Sequence, residues 1–123
     1  MRKMVFAITT SALGAATVNG ERAIIGKLYA IEYQPGTIDT GATVTITCEN
    51  GVYSKPLLTK ASAGVSNLLF YPRDLVHAVA DGAALTGTAG GDRELPLLSG
   101  KPRVVIASGG DGGIGKVILY FEE

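Results

Sequence analysis

Residues 109–123, GGDGGIGKVILYFEE, decide the fold class. Their first half comes within one residue of a phosphate-binding loop. The pattern G-x-x-x-x-G-K-[ST] maps onto Gly110, Gly115 and Lys116, then fails at Val117, which has no hydroxyl to hold Mg²⁺. Such a loop must also open a helix, whose first amides and partial positive charge receive the phosphate. Here Val117, Leu119 and Phe121 alternate with Lys116, Ile118, Tyr120 and Glu122. That period of two is a strand's. The stretch reads as a glycine loop feeding a β-strand, and nucleotide hydrolysis is not expected. Five glycines in residues 109–115 suggest a mobile hairpin tip between the last two strands.

The composition agrees with a β reading. Glycine contributes 17 of 123 residues, and Thr, Val, Ile and Tyr recur in short runs. Glycine supplies the positive φ of tight turns, and β-branched and aromatic residues favour pleated surfaces. The length suits a single domain, residues 1–123. Basic and acidic residues balance at 11 each, which argues against nucleic acid as a partner. The N-terminus resembles a secretory signal, but its strongly apolar run, Met4 to Ile8, is shorter than such a signal needs. No run approaches the roughly 20 apolar residues of a membrane span.

Working back from residue 109, the chain divides into short strands. Residues 43–49, TVTITCE, alternate most cleanly, with Val44, Ile46 and Cys48 expected inward and Thr43, Thr45 and Thr47 outward. Asn50-Gly51 signals a type I′ hairpin, returning through residues 53–59, where Pro56 marks an edge or a bulge. Residues 22–33, RAIIGKLYAIEY, are apolar on both phases, as in a central strand covered on both faces. Residues 3–10 and 15–19 read as strands around a turn at 11–14. Residues 34–42 and 86–92 read as loops, 68–72 and 93–98 as strands, and 99–102, SGKP, as a turn. Residues 73–85 leave helix and strand both open. The expectation is an all-β chain, an antiparallel two-sheet β-sandwich with jelly-roll character.

Residues that could carry chemistry are few. Cys48 is the single cysteine and His77 the single histidine, so no disulfide, zinc cluster or cofactor site is expected. A triad can be written with Ser62 or Ser66, His77, and Asp74 or Asp81, but no nucleophile elbow accompanies it. Asp92, Glu94 and Asp111 are too scattered to suggest calcium. An enzyme is not expected. The candidate residues are those of an interface. Tyr71 and Arg73 belong to the compact run FYPRD and are types enriched at interface hot spots. Arg2 and Lys3 offer charge at the N-terminus. Gly110, Asp111, Gly112 and Lys116 offer backbone donors and a cation in the glycine loop.

The order of AATVNG, GKLYAIEY, IDTGATVTIT, LLTKASAG, YPRDLVH, GTAGG, LPLL and GKPRVVIASGG, closing on GKVILYF, resembles small proteins of tailed-bacteriophage heads. These are the capsid decoration proteins, also called cement or head-stabilising proteins. The resemblance is one of order over nearly the whole chain and carries no catalytic motif. It implies a jelly-roll-like β-sandwich that binds the outer surface of an assembled capsid as a homo-oligomer, with the major capsid protein as partner. Localisation would be the virion surface, after assembly in the host cytoplasm. One unpaired cysteine suits that reducing compartment. The rival readings are another virion component, from neck or tail, and a small carbohydrate-binding sandwich. The absence of Trp weakens the latter.

Overall fold

The structure, a computed structural model, describes residues 1–75 and 93–123. These residues form ten strands and no helix. They are β1 (Arg2–Thr9), β2 (Ala16–Asn19), β3 (Ile24–Gln34), β4 (Thr43–Glu49), β5 (Ser54–Lys60), β6 (Leu68–Phe70), β7 (Asp74–Leu75), β8 (Arg93–Glu94), β9 (Leu97–Ala107) and β10 (Ile114–Glu122). Eight belong to one antiparallel sheet in the order β1–β10–β3–β9–β4–β5, with β2 added on β9 and β6 on β3. β7 and β8 pair separately. The all-β expectation holds. The readings placed on residues 76–92, including His77, Asp81, Asp92 and the loop at 86–92, lie outside the described residues.

β4 follows its alternation. Val44, Ile46 and Cys48 are buried, while Thr43, Thr45 and Thr47 are half-buried on the other side. β5 lies at the end of the sheet order, as Pro56 suggested, and also carries a bulge. Ile46 faces Leu58 and Thr47 faces Pro56, so Leu57 is the extra residue.

β3 corrects the expectation of a strand covered on both faces. Ile24 and Leu28 are buried, but Ile25 is 74% exposed. Further along, Ile31 and Tyr33 are the residues that join the core cluster. The phase changes at Tyr29: Leu28 faces Phe121 and Ala30 faces Tyr120, which leaves Tyr29 without a partner in the register. A bulge inserts one residue and so exchanges inward and outward positions. Both phases read apolar because each serves the core over half the strand.

The turn expected at residues 99–102 is also corrected. These residues lie inside β9, which runs unbroken through them. Leu97–Gly100 pair with β3, and Lys101–Ala107 pair with β4. Arg103–Ile106 also pair with β2. Gly100 has φ +136°, and a Cβ there would press into the Glu49 carbonyl oxygen. Glycine here bends a strand between partners instead of ending it. The strand read at 93–98 is split as well, with Leu95 and Pro96 separating β8 from β9.

The Asn50-Gly51 turn is longer than a type I′ pair. Glu49 faces Ser54, so the connection is the four residues 50–53. Asn50 Oδ1 accepts from the amides of Val52 at 2.9 Å and Tyr53 at 2.8 Å. Gly51 has φ +86° but Asn50 is not in the positive-φ region, whereas type I′ needs it at both central residues.

The glycine loop is not a hairpin tip, because β3 lies between β10 and β9 in the sheet. Nor does it wait for an outside partner to order it. The Gly109 amide donates to the Gly14 carbonyl at 2.8 Å, and the Asp39 amide donates to the Gly109 carbonyl at 2.9 Å. A Cβ on Gly110 would lie 2.8 Å from the Asp39 carboxylate. The glycines allow close backbone approach, and the loop is held from within the chain. One apolar core results, to which β1, β3, β4, β9 and β10 contribute Phe6, Leu28, Ile46, Ile106 and Leu119 among others.

Candidate interaction surface

The strands that bury Phe6, Ile8, Val117, Leu119 and Phe121 must turn their alternate residues outward. Pairing then lines those residues up across β1, β10, β3 and β6. Lys3 faces Tyr120, and Tyr120 faces Ala30. In the next outward row Val5 faces Ile118, Ile118 faces Glu32, and Glu32 faces Leu69. The bulge adds Tyr29 beside Ala30.

Hydrogen bonds fix the polar groups of this face. Tyr120 Oη donates to Glu32 Oε1 at 2.9 Å, and Gln34 Nε2 donates to Glu32 Oε2 at 2.5 Å. Tyr29 Oη donates to Glu122 Oε2 at 2.7 Å. The bonds from Gln34 and then Tyr120 hold the Glu32 carboxyl below its ordinary range, and Lys3 adds a smaller effect of the same sign. Donation to Glu122 and to Glu32 pushes the Tyr29 and Tyr120 phenols up, so both remain donors at neutral pH.

Tyr71 and Arg73 follow β6 and complete the surface. One Arg73 guanidinium nitrogen donates to the Tyr29 carbonyl at 3.0 Å and to the Pro72 carbonyl at 2.6 Å. The guanidinium carbon lies 6.0 Å from the centre of the Tyr71 ring. Tyr71 is 61% exposed and Leu69 49%. Met1, Tyr29, Leu69, Tyr71, Arg73 and Tyr120 line a shallow depression, with Glu32 and Ala30 also at its wall.

The candidate residues from the sequence therefore separate. Lys3, Tyr71 and Arg73 meet on this face. Lys116 is exposed on the same outward phase of β10, facing Gln34 and Ala7. Arg2 lies on the alternate phase, 3.7 Å from Glu123. Gly110, Asp111 and Gly112 lie in the loop before β10, whereas Tyr120 is near that strand's far end. Tyr29, Glu32, Leu69 and Tyr120 were not nominated. The available signal was the phase of Tyr120, opposite to Val117, Leu119 and Phe121.

Chemistry at the other nominated positions is limited by what surrounds them. Residues 114–122 form a strand, so no helix N-terminus meets the glycine loop. The amides of Gly109 and Gly113 are committed to Gly14 and Thr10. Burial pushes the Cys48 thiol up, away from the reactive thiolate. Among the described residues, no three His, Cys, Asp or Glu side chains gather to hold a metal ion. Among the same residues, no helix is long and apolar enough to cross a membrane. Comparison with protein-family models, curated proteins and solved structures finds no match.

Proposed function

We propose that the chain is a structural virion protein that binds the outer surface of a phage capsid and stabilises the assembled head. It would do so as a homo-oligomer on the major capsid protein, without enzymatic activity. The observation that supports this reading is the outward face of β1, β10, β3 and β6. There Tyr29, Tyr71, Tyr120, Leu69 and Arg73 surround one depression, and Tyr and Arg are the types that anchor interfaces. The resemblance to decoration proteins directs the reading to a capsid. It also directs the finer fold reading: we infer two layers joined through β9, a jelly-roll-like sandwich, from the change of partners at Gly100.

A protein that binds only the assembled lattice stabilises it by RT ln(1 + [L]/Kd) per site. Many copies, each contributing a few kcal/mol, oppose the pressure of packaged DNA. The test assembles capsids of the source phage without the chain, adds it back, and follows DNA release on heating. Shells should form without it and should release DNA at higher temperature once it is restored. Shells that neither bind it nor gain stability overturn the reading. A handful of copies per particle, confined to one vertex, would favour a neck or tail component instead.

A further inference from the structure

We propose that the partner on this face is a protein surface that seats an apolar side chain among Tyr29, Leu69, Tyr71 and Tyr120 and brings carboxylates to Arg73 and Lys3. The inference rests on the reading of the chain as a binding module and specifies the chemistry that it binds.

Charge complementarity carries it. Arg2 and Arg22 share Glu123, and Arg103 faces Glu49. Arg73 differs: it donates to the carbonyl oxygens of Tyr29 and Pro72, and no carboxylate pairs with it among the described residues. Its guanidinium sits beside an exposed aromatic ring, Tyr71. The acids of the same face are already occupied, Glu32 by Gln34 and Tyr120, and Glu122 by Tyr29. The face thus presents Arg73, with no carboxylate partner among the described residues, beside hydrogen-bonded acids and an apolar depression. An incoming carboxylate gains a charge-assisted bond to Arg73 without displacing an internal partner.

Polyanions fit less well. Nucleic acid is held through roughly 6–10 phosphate contacts, and an anionic bilayer through clusters of about 4–8 Lys or Arg. This face offers Lys3, Arg73 and Lys116, with Glu32 and Glu122 set among the tyrosines.

The test titrates the isotopically labelled full chain with the blocked peptide Glu-Glu-Leu-Phe-Glu-Glu and records backbone and tyrosine resonances. Parallel titrations use a twelve-nucleotide poly-dT strand and phosphatidylserine vesicles. Peptide shifts should concentrate at Tyr29, Leu69, Tyr71, Arg73 and Tyr120, and affinity should fall at least about tenfold between roughly 50 and 500 mM salt. Arg73→Glu should abolish binding and Arg73→Lys should retain part of it. Tyr71→Ala should weaken binding at every salt concentration. Should Arg73→Glu not fold, as judged by thermal unfolding, Lys3→Glu supplies the charge reversal. Absent shifts on this face, peptide binding indifferent to charge reversal, or tighter binding of poly-dT or vesicles overturns the proposal. Capsid binding that survives both high salt and charge reversal overturns it while leaving the capsid reading standing. Peptide binding without capsid binding overturns only the latter.

Discussion

The side-chain oxygen of Thr10 accepts the Gly113 amide hydrogen at 2.7 Å, and the Thr10 amide donates back to the Gly113 carbonyl at 2.8 Å. The same hydroxyl donates to the Gly110 carbonyl at 2.6 Å. Thr10 is buried, so these bonds are not readily replaced by water. Thr10→Val keeps the shape and leaves the Gly113 amide without its acceptor. It should cost about 1–3 kcal/mol, the penalty for a buried polar group left unpaired. Thr10→Ser should recover most of that. Denaturant midpoints give the cost, and hydrogen exchange at Gly113 should accelerate in the valine variant alone. Unchanged exchange would show that the loop does not depend on this hydroxyl.

Gly100 and Gly41 form a matched pair for backbone strain. Gly100 sits at φ +136° against the Glu49 carbonyl, whereas a Cβ on Gly41 meets nothing within 4 Å. Gly100→Ala should destabilise by about 1–3 kcal/mol from conformation alone, with the clash added. Gly41→Ala should be neutral or stabilise by about 0.4–1 kcal/mol, by narrowing the unfolded ensemble. Thermal unfolding of the two variants side by side is the measurement. Equal effects would show that β9 does not bend at Gly100.

Tyr33 is fully buried, and its hydroxyl has no hydrogen-bond partner among the described residues. Tyr33→Phe removes the unpaired group and keeps the ring. The variant should match the parent or exceed it by about 1 kcal/mol, since burying an unsatisfied hydroxyl is unfavourable. A loss of more than about 1 kcal/mol in denaturant unfolding would reveal a partner for this oxygen.

Cys48 carries an alkaline pH dependence. Burial raises its native pKa, opposed in part by the Ser99 backbone and the Lys55 charge. In the unfolded chain the thiol ionises near its ordinary value of about 8.5. The stability that this shift contributes is fully present below that value. It is lost as pH rises from there toward the raised native value, because the unfolded state releases its proton first. Stability followed by denaturant midpoint should therefore decline above about pH 8.5, and Cys48→Val should flatten the decline. The native thiol should react with iodoacetamide only on unfolding. Prompt alkylation of the folded chain would contradict its burial.

Local signals in the sequence were read well where one strand keeps one phase. Thr43–Glu49 holds its alternation throughout, and Val44, Ile46 and Cys48 point where that alternation sends them. Residues 22–33 misled because a bulge at Tyr29, visible only against β10, reverses the phase midway. Gly100-Lys101-Pro102 carries strong turn residues, yet the positive φ of Gly100 bends a continuous strand between two partners. The glycine loop looked mobile because Thr10 and Asp39, which hold it, are far away in sequence. The site divides in the same way. Tyr71, Arg73 and Lys3 could be nominated by residue type. Tyr29, Leu69 and Tyr120 join them only through the β3–β10 and β3–β6 pairings, which no local pattern encodes.

The pairing of β1 with β10, from Arg2 opposite Phe121 to Thr9 opposite Ile114, also orders events during synthesis. β1 is synthesised before β10, the strand that completes its pairing. Until β10 emerges, Phe6 and Ile8 lack the strand that holds them in the core, and Thr10 lacks Gly113, 103 positions downstream. Closing so long a loop is entropically costly and gains nothing until both ends meet. These contacts therefore stay open until β10 emerges and close late. A ribosome stalled before residue 114 would hold a chain whose N-terminal strand is still unpaired with β10, which protease sensitivity of arrested chains would reveal.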